Sequence, residues 1–290
     1  MLRRETKNKK VILITGCSSG FGLLTAKKLS QDHIVYAGVR SEEGHHHLKA
    51  FQKNHLYSVQ LDVLTLFDIQ KAMHTIEEQV GKLDVLINYA GYALMGFFEH
   101  LTEEEIKKQF DTNFFALQAV TRQALPLLRK SQSHPKIINI SSIAGLTGTP
   151  CLGAYNASKW AVEGFSESLY FELLPFGIHV ILIEPGAFKT KIFFENKKIA
   201  QDFLNPKMPT FKFSQTLMSK MDDVTQAIKK DPDQVALLIQ KIIHKKNPKL
   251  RYLIGRDAQI RFWLKWALPF SIYAKLLIKK FTKLLNEVKK

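Results

Sequence analysis

An α/β fold on a parallel sheet is the architecture this chain predicts. Short β-branched runs alternate with longer amphipathic stretches from the N-terminus onward, and a glycine-rich turn joins the first run to the first helical stretch. Size agrees: with 46% hydrophobic residues over 290 positions, one large domain can bury a substantial core. The first strand falls at 11–15, on Val11-Ile12-Leu13-Ile14, and the glycine turn after it opens a helix at 20–31. Further strands fall at 34–39, 56–60, 84–88, 136–141, 178–184 and 250–254. Between them, helices at 66–80, 103–130, 153–174 and 231–246 rest on apolar residues recurring at three and four, and Asp231-Pro232 marks a helix start. The one long connection without a pattern is 187–230, with Pro206 and Pro209; connections of that length in compact domains are usually lids or binding loops, so it is expected to cover a substrate. The predicted organisation is a catalytic domain over 1–255 and a basic amphipathic helical extension over 256–290.

Cys17 and Cys151, the two cysteines, cannot build a disulfide framework, and Cys17 lies inside the glycine turn. A reducing, cytoplasmic compartment is therefore expected. The basic N-terminus runs straight into the first strand without the apolar region and cleavage site of a signal peptide. The formal charge of +16 points to an anionic partner: nucleic acid, membrane or a phosphorylated cofactor. Most of the excess sits at the ends, with nine Lys/Arg against Asp257 and Glu287 in 256–290, and five against one acid in the first ten residues.

Thr15-Gly16-Cys17-Ser18-Ser19-Gly20-Phe21-Gly22 follows a strand and opens a helix, so backbone N–H groups and the helix dipole would face a pyrophosphate. Ser18 and Ser19 add hydroxyl donors. About twenty residues on, where an NAD enzyme offers a carboxylate to the ribose 2′-hydroxyl, this chain has Val39 and Arg40. A guanidinium forks onto a phosphate, which favours NADP(H); an exposed arginine at a strand end is the plainer reading. Asp62 and Val63 close the third strand, where they would bracket an adenine, or Asp62 would cap a turn. Asn88, Ala90 and Gly91 end the fourth, with small residues bringing backbone close to a ribose. Asn113 sits among Phe114, Phe115 and Leu117, where its amide needs a hydrogen-bond partner or solvent. Ser141-Ser142 ends the fifth strand.

Tyr155 and Lys159 lie four apart on one helix face, so the ammonium can stabilise the phenolate and draw the tyrosine pKa down from about 10. Among 42 Lys and Arg that spacing is common, and Tyr36 with Arg40 repeats it. Order raises its weight: a glycine turn, an Asn, a Ser-Ser strand end and then Tyr-x-x-x-Lys, each at the end of an element.

In these ordered motifs, over about residues 8–255, the chain resembles a classical short-chain dehydrogenase/reductase. The resemblance implies a Rossmann-type doubly wound sheet and a catalytic tetrad on Asn113, Ser142, Tyr155 and Lys159. By that likeness Tyr155 is the acid/base, Ser142 orients a carbonyl, Lys159 lowers the tyrosine pKa and binds the ribose, and Asn113 holds a relay water. Pro185-Gly186-Ala187-Phe188-Lys189-Thr190 resembles the segment whose backbone, with the Thr190 hydroxyl, grips the nicotinamide amide. Tyr89 departs from the family's usual second Asn. Thr-Gly-Cys-Ser-Ser-Gly and Tyr-Ala-Gly-Val-Arg look most like members acting on steroids, retinol and other lipophilic carbonyls. Phe193, Phe194, Phe203, Phe211 and Phe213 would suit an apolar substrate, and would equally suit a core. The expected activity is oxidoreduction of an apolar small molecule; a membrane scaffold that reads NADP(H) without turnover is the alternative. No metal is expected.

In 259–290, Phe262, Trp263, Trp266, Phe270, Tyr273, Leu277, Phe281, Leu284, Leu285 and Val288 alternate with lysines, and the set from 270 onward falls at helical spacing. No run is long enough to span a bilayer. Three readings fit: a helix on an anionic membrane surface, placing the enzyme on a cytoplasmic face, a helix docked on its own domain, or a contact within a homodimer or homotetramer. Nucleic acid is not expected, since no recognised binding module accompanies the charge.

Overall fold

The computed structural model describes residues 9–49, 51, 55–189, 198–226 and 228–288. Its first half runs β1 (Val11–Ile14), α1 (Gly20–Leu29), β2 (Ile34–Val39), α2 (Glu42–Lys49), β3 (Leu56–Gln60), α3 (Leu66–Gln79) and β4 (Val85–Asn88). Then come the two-residue β5 (Leu94–Met95), α4 (Glu103–Phe110), α5 (Ala116–Arg129), β6 (Lys136–Ile140), α6 (Gly153–Leu173) and β7 (His179–Pro185). The last third holds β8 (Lys198–Ile199), α7 (Phe211–Gln226), α8 (Asp233–Ile243), β9 (Arg251–Ile254), α9 (Arg256–Ala267) and α10 (Phe270–Val288).

Seven strands form one parallel sheet in the order β3-β2-β1-β4-β6-β7-β9. The chain winds outward from β1 to β3, returns to β4 beside β1, and continues to the other edge. That reversal leaves a crevice at the carboxyl ends of β1 and β4, where an open α/β sheet takes its ligand. Alternate strand residues feed two cores. Val11, Leu13, Ile34 and Tyr36 pack with α3, α5 and α6, whereas Ile12, Ile14, Val35 and Ala37 pack with α1 and α8.

Every expected strand is present to within a residue or two. The expected helix over 103–130 starts at a capping box between Thr102 and Glu105, and is interrupted at Asp111–Phe115 by a wider π turn that holds Asn113. Helix α2 was not expected; it buries only Gly44 and Leu48, too short a stripe to register as a period.

The segment 187–230 is not the patternless connection the sequence suggested. β8 pairs with β5, and α7 follows Pro206 and Pro209. Phe203 packs with Met95, Leu152, Leu217 and Phe97 in a small core, and Phe213 stacks on Phe97, 5.4 Å between centroids. Phe193, Phe194 and Thr190 lie outside the described residues. The described part of the extension, 256–288, is two helices parted at Pro269, and both touch the domain, α9 through Arg261 at Thr147 and α10 through Phe281 at Phe213. Of the stripe expected from 270 onward, Tyr273 is buried and Phe281 meets Phe213 edge to face, 5.3 Å between centroids, whereas Phe270 is exposed. No helix among the described residues is long and apolar enough to cross a membrane.

Candidate active site

The crevice is built first by glycines. Gly16 and Gly20 adopt φ of 71° and 58°, in the left-handed region that disfavours a side chain. A Cβ on Gly22 would lie 2.3 Å from the Gly16 carbonyl oxygen, so helix α1 closes on the turn only because that side chain is missing. In front of Gly20 there is open space: a Cβ there would meet nothing within 4 Å. Ser19 stands at the N-cap of α1 but makes no capping hydrogen bond, and the first turn holds no acidic residue. The first N–H groups of α1 are therefore left to an anion. Thr15, at the head of the glycine turn, anchors the facing loop: its hydroxyl accepts from the N–H groups of Tyr89 and Ala90 at 3.1 and 3.0 Å, a contact with no signal in the motif itself. Tyr89 fills the place of the family's second Asn by donating or accepting at Thr25, 2.8 Å away.

Arg40 ends β2 with an exposed side chain, and no ion pair engages it among the described residues. Ser41 follows it, accepting from the Gly44 N–H at the start of α2, while Ser18 lies near Gly44. Asp62 caps a turn: its carboxylate accepts from the Leu64 N–H at 3.0 Å, and its carbonyl from Thr65. Val63 packs on the core beside it. The Asn88 side chain points away from the crevice, donating to Thr121 and Asn139, so any ribose contact there falls to the backbone of Ala90 and Gly91.

The expected tetrad converges. Ser142 begins a short 3₁₀ turn and accepts from the Ala144 N–H at 3.1 Å. Tyr155 is 3% exposed, among Ala93, Ala144 and Leu152. Burial pushes its hydroxyl up to about 12, while hydrogen bonding with Ser142 works the other way. The expected lowering below 10 is thus reversed in this state, because desolvation of the phenolate outweighs its neighbours. Lys159 lies with its ammonium 5.9 Å from the Tyr155 ring and donates to the Ile140 carbonyl at 2.8 Å. Burial lowers its pKa to about 8, and the nearby Glu163 opposes that shift. Asn113 holds the Tyr92 backbone from both sides, accepting from its N–H and donating to its carbonyl, each at 3.0 Å, and also donates to Ser158. Both of its amide N–H donors are thereby engaged in positioning Tyr92 and Ser158. Gly91 is close to both, since a Cβ there would lie 3.0 Å from Asn113 Oδ1 and 3.9 Å from Lys159 Nζ.

Two features beneath the site had no sequence signal. Glu163, one turn after Lys159, is buried with Glu184 of β7, and Arg251 of β9 donates to both as well as to Glu167. Burial raises the pKa of each buried acid, Glu184 further through the charge of Glu163. Gly145 lies over this cluster, where a Cβ would stand 2.7 Å from Ser141 Oγ and 3.0 Å from Glu163 Cγ. The other is Asp257 of α9, which accepts from the Ala187 N–H at 2.8 Å and pairs with Lys230. Its carboxylate fills the space beside Gly186, 2.5 Å from a Cβ placed there. The Ala187 N–H is therefore already engaged, and Phe188 is buried against Phe21 and Lys230. Pro185 ends β7 and Gly186 follows it.

A bare helix N-terminus, an open left-handed glycine and a Ser-Tyr-Lys cluster at one crevice fit a nicotinamide dinucleotide. Residues 10–201 match the family model for short chain dehydrogenases. The chain is 39% identical over 254 residues to a 3-ketodihydrosphingosine reductase of Bacteroides thetaiotaomicron, covering 87% of this chain and 90% of that one. It is 37% identical over 281 residues to the oxidoreductase YusZ of Bacillus subtilis, covering 94% and 99%. A crystal structure of a short-chain dehydrogenase from Streptomyces avermitilis superposes with a TM-score of 0.78 at 30% identity, over 96% of this chain and 98% of that one. The match of the family model, over six of the seven strands of the sheet, the glycine turn and the Ser-Tyr-Lys cluster, makes this chain a member of the short-chain dehydrogenase family of oxidoreductases.

Proposed function

We propose that the protein interconverts a carbonyl and an alcohol on an apolar substrate, using NADP(H). The observation that carries this is the position of Tyr155: its hydroxyl shares a site with Ser142 and Lys159, under a roof in which Leu152 links the Tyr155 cluster to the aromatic core of Met95, Phe97 and Phe203. When bound, NADP(H) supplies or takes up the hydride. The N-terminus of α1, Ser18, Ser19 and the backbone at Gly20 and Phe21 would hold its pyrophosphate, Lys159 and the Ala90–Gly91 backbone its ribose. Arg40, beside Ser41 and the start of α2, would take the 2′-phosphate.

The chain's own part is proton chemistry. Tyr155 Oη keeps its proton throughout the neutral range, because burial opposes the phenolate. It is thus a donor to a carbonyl oxygen held between the Tyr155 and Ser142 hydroxyls. The Lys159 cation favours the phenolate left behind, and it does so below about pH 8, where it is charged. The roof excludes water and accepts a long apolar group. The relative from Bacteroides is named for reduction of a long-chain keto lipid, which agrees with that roof.

Absorbance of NADPH and of NADH, followed with long-chain 3-keto lipids, steroid ketones and retinoid carbonyls, tests the reading. Turnover is expected with NADPH and at least one apolar carbonyl. Arg40→Ala should weaken NADPH by about 10–150-fold and spare NADH, the worth of a charge-assisted phosphate contact of about 1.5–3 kcal/mol. Tight NADPH binding without turnover across the panel, in either direction, would overturn the enzyme reading in favour of a redox-reading scaffold.

A further inference from the structure

With Tyr273 and Phe281 turned inward, a different surface lies on the outside. On α9, Arg261 donates to the hydroxyls of Thr147 and Thr149 at 2.8 Å each. Lys265 donates to the Leu146 carbonyl and lies over Trp160, 4.2 Å from the ring centroid. That face, with the buried Ala258, docks α9 on the segment that follows Ser142. The opposite face carries Ile260, Trp263, Leu264 and Ala267 at three- and four-residue spacing, and Trp266 beside them, all exposed. Trp263, Trp266 and Phe270 are 65%, 72% and 75% exposed, at the elbow where Pro269 parts the two helices. Ile272 and Leu276 extend the exposed apolar set onto the outer face of α10, with Lys275 and Lys279 among them.

Charge decides what such a surface fits. Among the described side chains of α9 and α10 the exposed charges are Arg256, Lys275 and Lys279, all basic; the one described acid, Asp257, is consumed by Ala187 and Lys230. A second copy of the same patch would set like charges against each other, whereas an anionic lipid surface complements them. Tryptophan, moreover, is the side chain that settles best at the boundary between headgroups and acyl chains. The elbow also adjoins the substrate region on two sides. α9 sits on the turn after Ser142, and α10 packs on α7, which roofs the apolar core above Tyr155.

We propose that the α9–α10 elbow is an interfacial anchor, which seats the folded enzyme on an anionic bilayer with Trp263, Trp266 and Phe270 among the lipid headgroups. The basic side chains supply the attraction and the aromatic side chains the depth. Binding to the bilayer does not depend on the catalytic reading, so either can fail without the other; together they bring an apolar substrate from the membrane to the roof of its own site.

Deleting 256–290 would remove the Asp257 carboxylate that holds Ala187 and uncover Phe213 where Phe281 covers it, so the test keeps the full chain. Flotation with vesicles of phosphatidylglycerol and phosphatidylcholine, against phosphatidylcholine alone, is compared for the native protein, for Trp263→Ser/Trp266→Ser/Phe270→Ser, and for Lys275→Gln/Lys279→Gln. The native protein is expected to float with the anionic vesicles, and the aromatic variant to bind at least tenfold more weakly at an unchanged melting temperature. The lysine variant should lose about tenfold or more, from about 1 kcal/mol for each basic residue near a charged leaflet. In the native protein, brominated phosphatidylglycerol should quench tryptophan emission, because two of the three tryptophans are on the elbow. Equal flotation of native protein and aromatic variant would overturn the proposal, as would unquenched emission. So would a native dimer by light scattering that becomes monomeric in the aromatic variant without any lipid binding, which would make the elbow a contact between copies.

Discussion

Tyr155 is a buried acid whose burial is useful in one direction. A phenol held in its neutral form donates a proton readily only when a cation and a hydrogen-bond donor are ready to receive the phenolate, and Lys159 and Ser142 stand where they can. Tyr155→Phe keeps the ring that packs on Ala93, Ala144 and Leu152 and removes only the hydroxyl. Its kcat should fall by about 10²–10⁴, with NADPH affinity by fluorescence titration nearly unchanged. Near-native kcat in that variant would exclude the residue as the acid. Gly22 makes the complementary case, a residue that matters for what it lacks. With the Gly16 carbonyl oxygen 2.3 Å from the position of a Cβ, Gly22→Ala must push turn and helix apart. A stability loss of about 1–3 kcal/mol is expected by urea denaturation, with weaker NADPH binding as the turn opens.

Helix α9 belongs to the cofactor crevice as much as to the C-terminal extension. Its second residue, Asp257, occupies the space that Gly186 leaves, holds the Ala187 N–H and pairs with Lys230, so one carboxylate joins β7, α9 and the chain before α8. Asp257→Ala should therefore raise the dissociation constant for NADPH several-fold by calorimetric titration. Asp257→Asn, which keeps an acceptor for Ala187, should recover part of the loss. No change in either variant would show that the 186–188 backbone needs no brace. The π turn between α4 and α5 has a similar character. It swings Asn113 round to clamp Tyr92 by both backbone groups, and so carries a loop beside Gly91 and Lys159. The two elements that place the site most tightly are thus a bulge inside a helix and a helix beyond the last strand.

Across the molecule, β7, β9 and α6 are tied beneath the site by Glu184, Arg251 and Glu163. Glu184 takes up its proton above the ordinary carboxylate range because it is buried and faces Glu163, so the folded chain binds a proton that the unfolded chain has released. Stability from this group is full below about pH 4.3 and is lost as pH rises through the raised folded value. Urea midpoints should fall between acid and alkaline pH, and Glu184→Gln should flatten that slope; parallel slopes would remove Glu184 as its source. The strands, the glycine turn, Ser142, Tyr155 and Lys159 were legible in the chain, because each is written in consecutive residues or in one helix face. The 2.0 and 3.6 periods report which side of an element is apolar, and the glycines report where backbone needs room. What covers an apolar stripe is not written there. The Tyr273 and Phe281 side of α10 turned inward onto α7, Phe203 joined a small core with Phe213 stacked on its Phe97, and the exposed surface fell to Trp263, Trp266 and Phe270. Asp257 reaching Ala187 over 70 residues, and Arg251 reaching Glu163 over 88, are likewise decisions of the tertiary structure. Contacts at such separations depend on how strands order and helices dock, a competition for burial that no local window of residues contains.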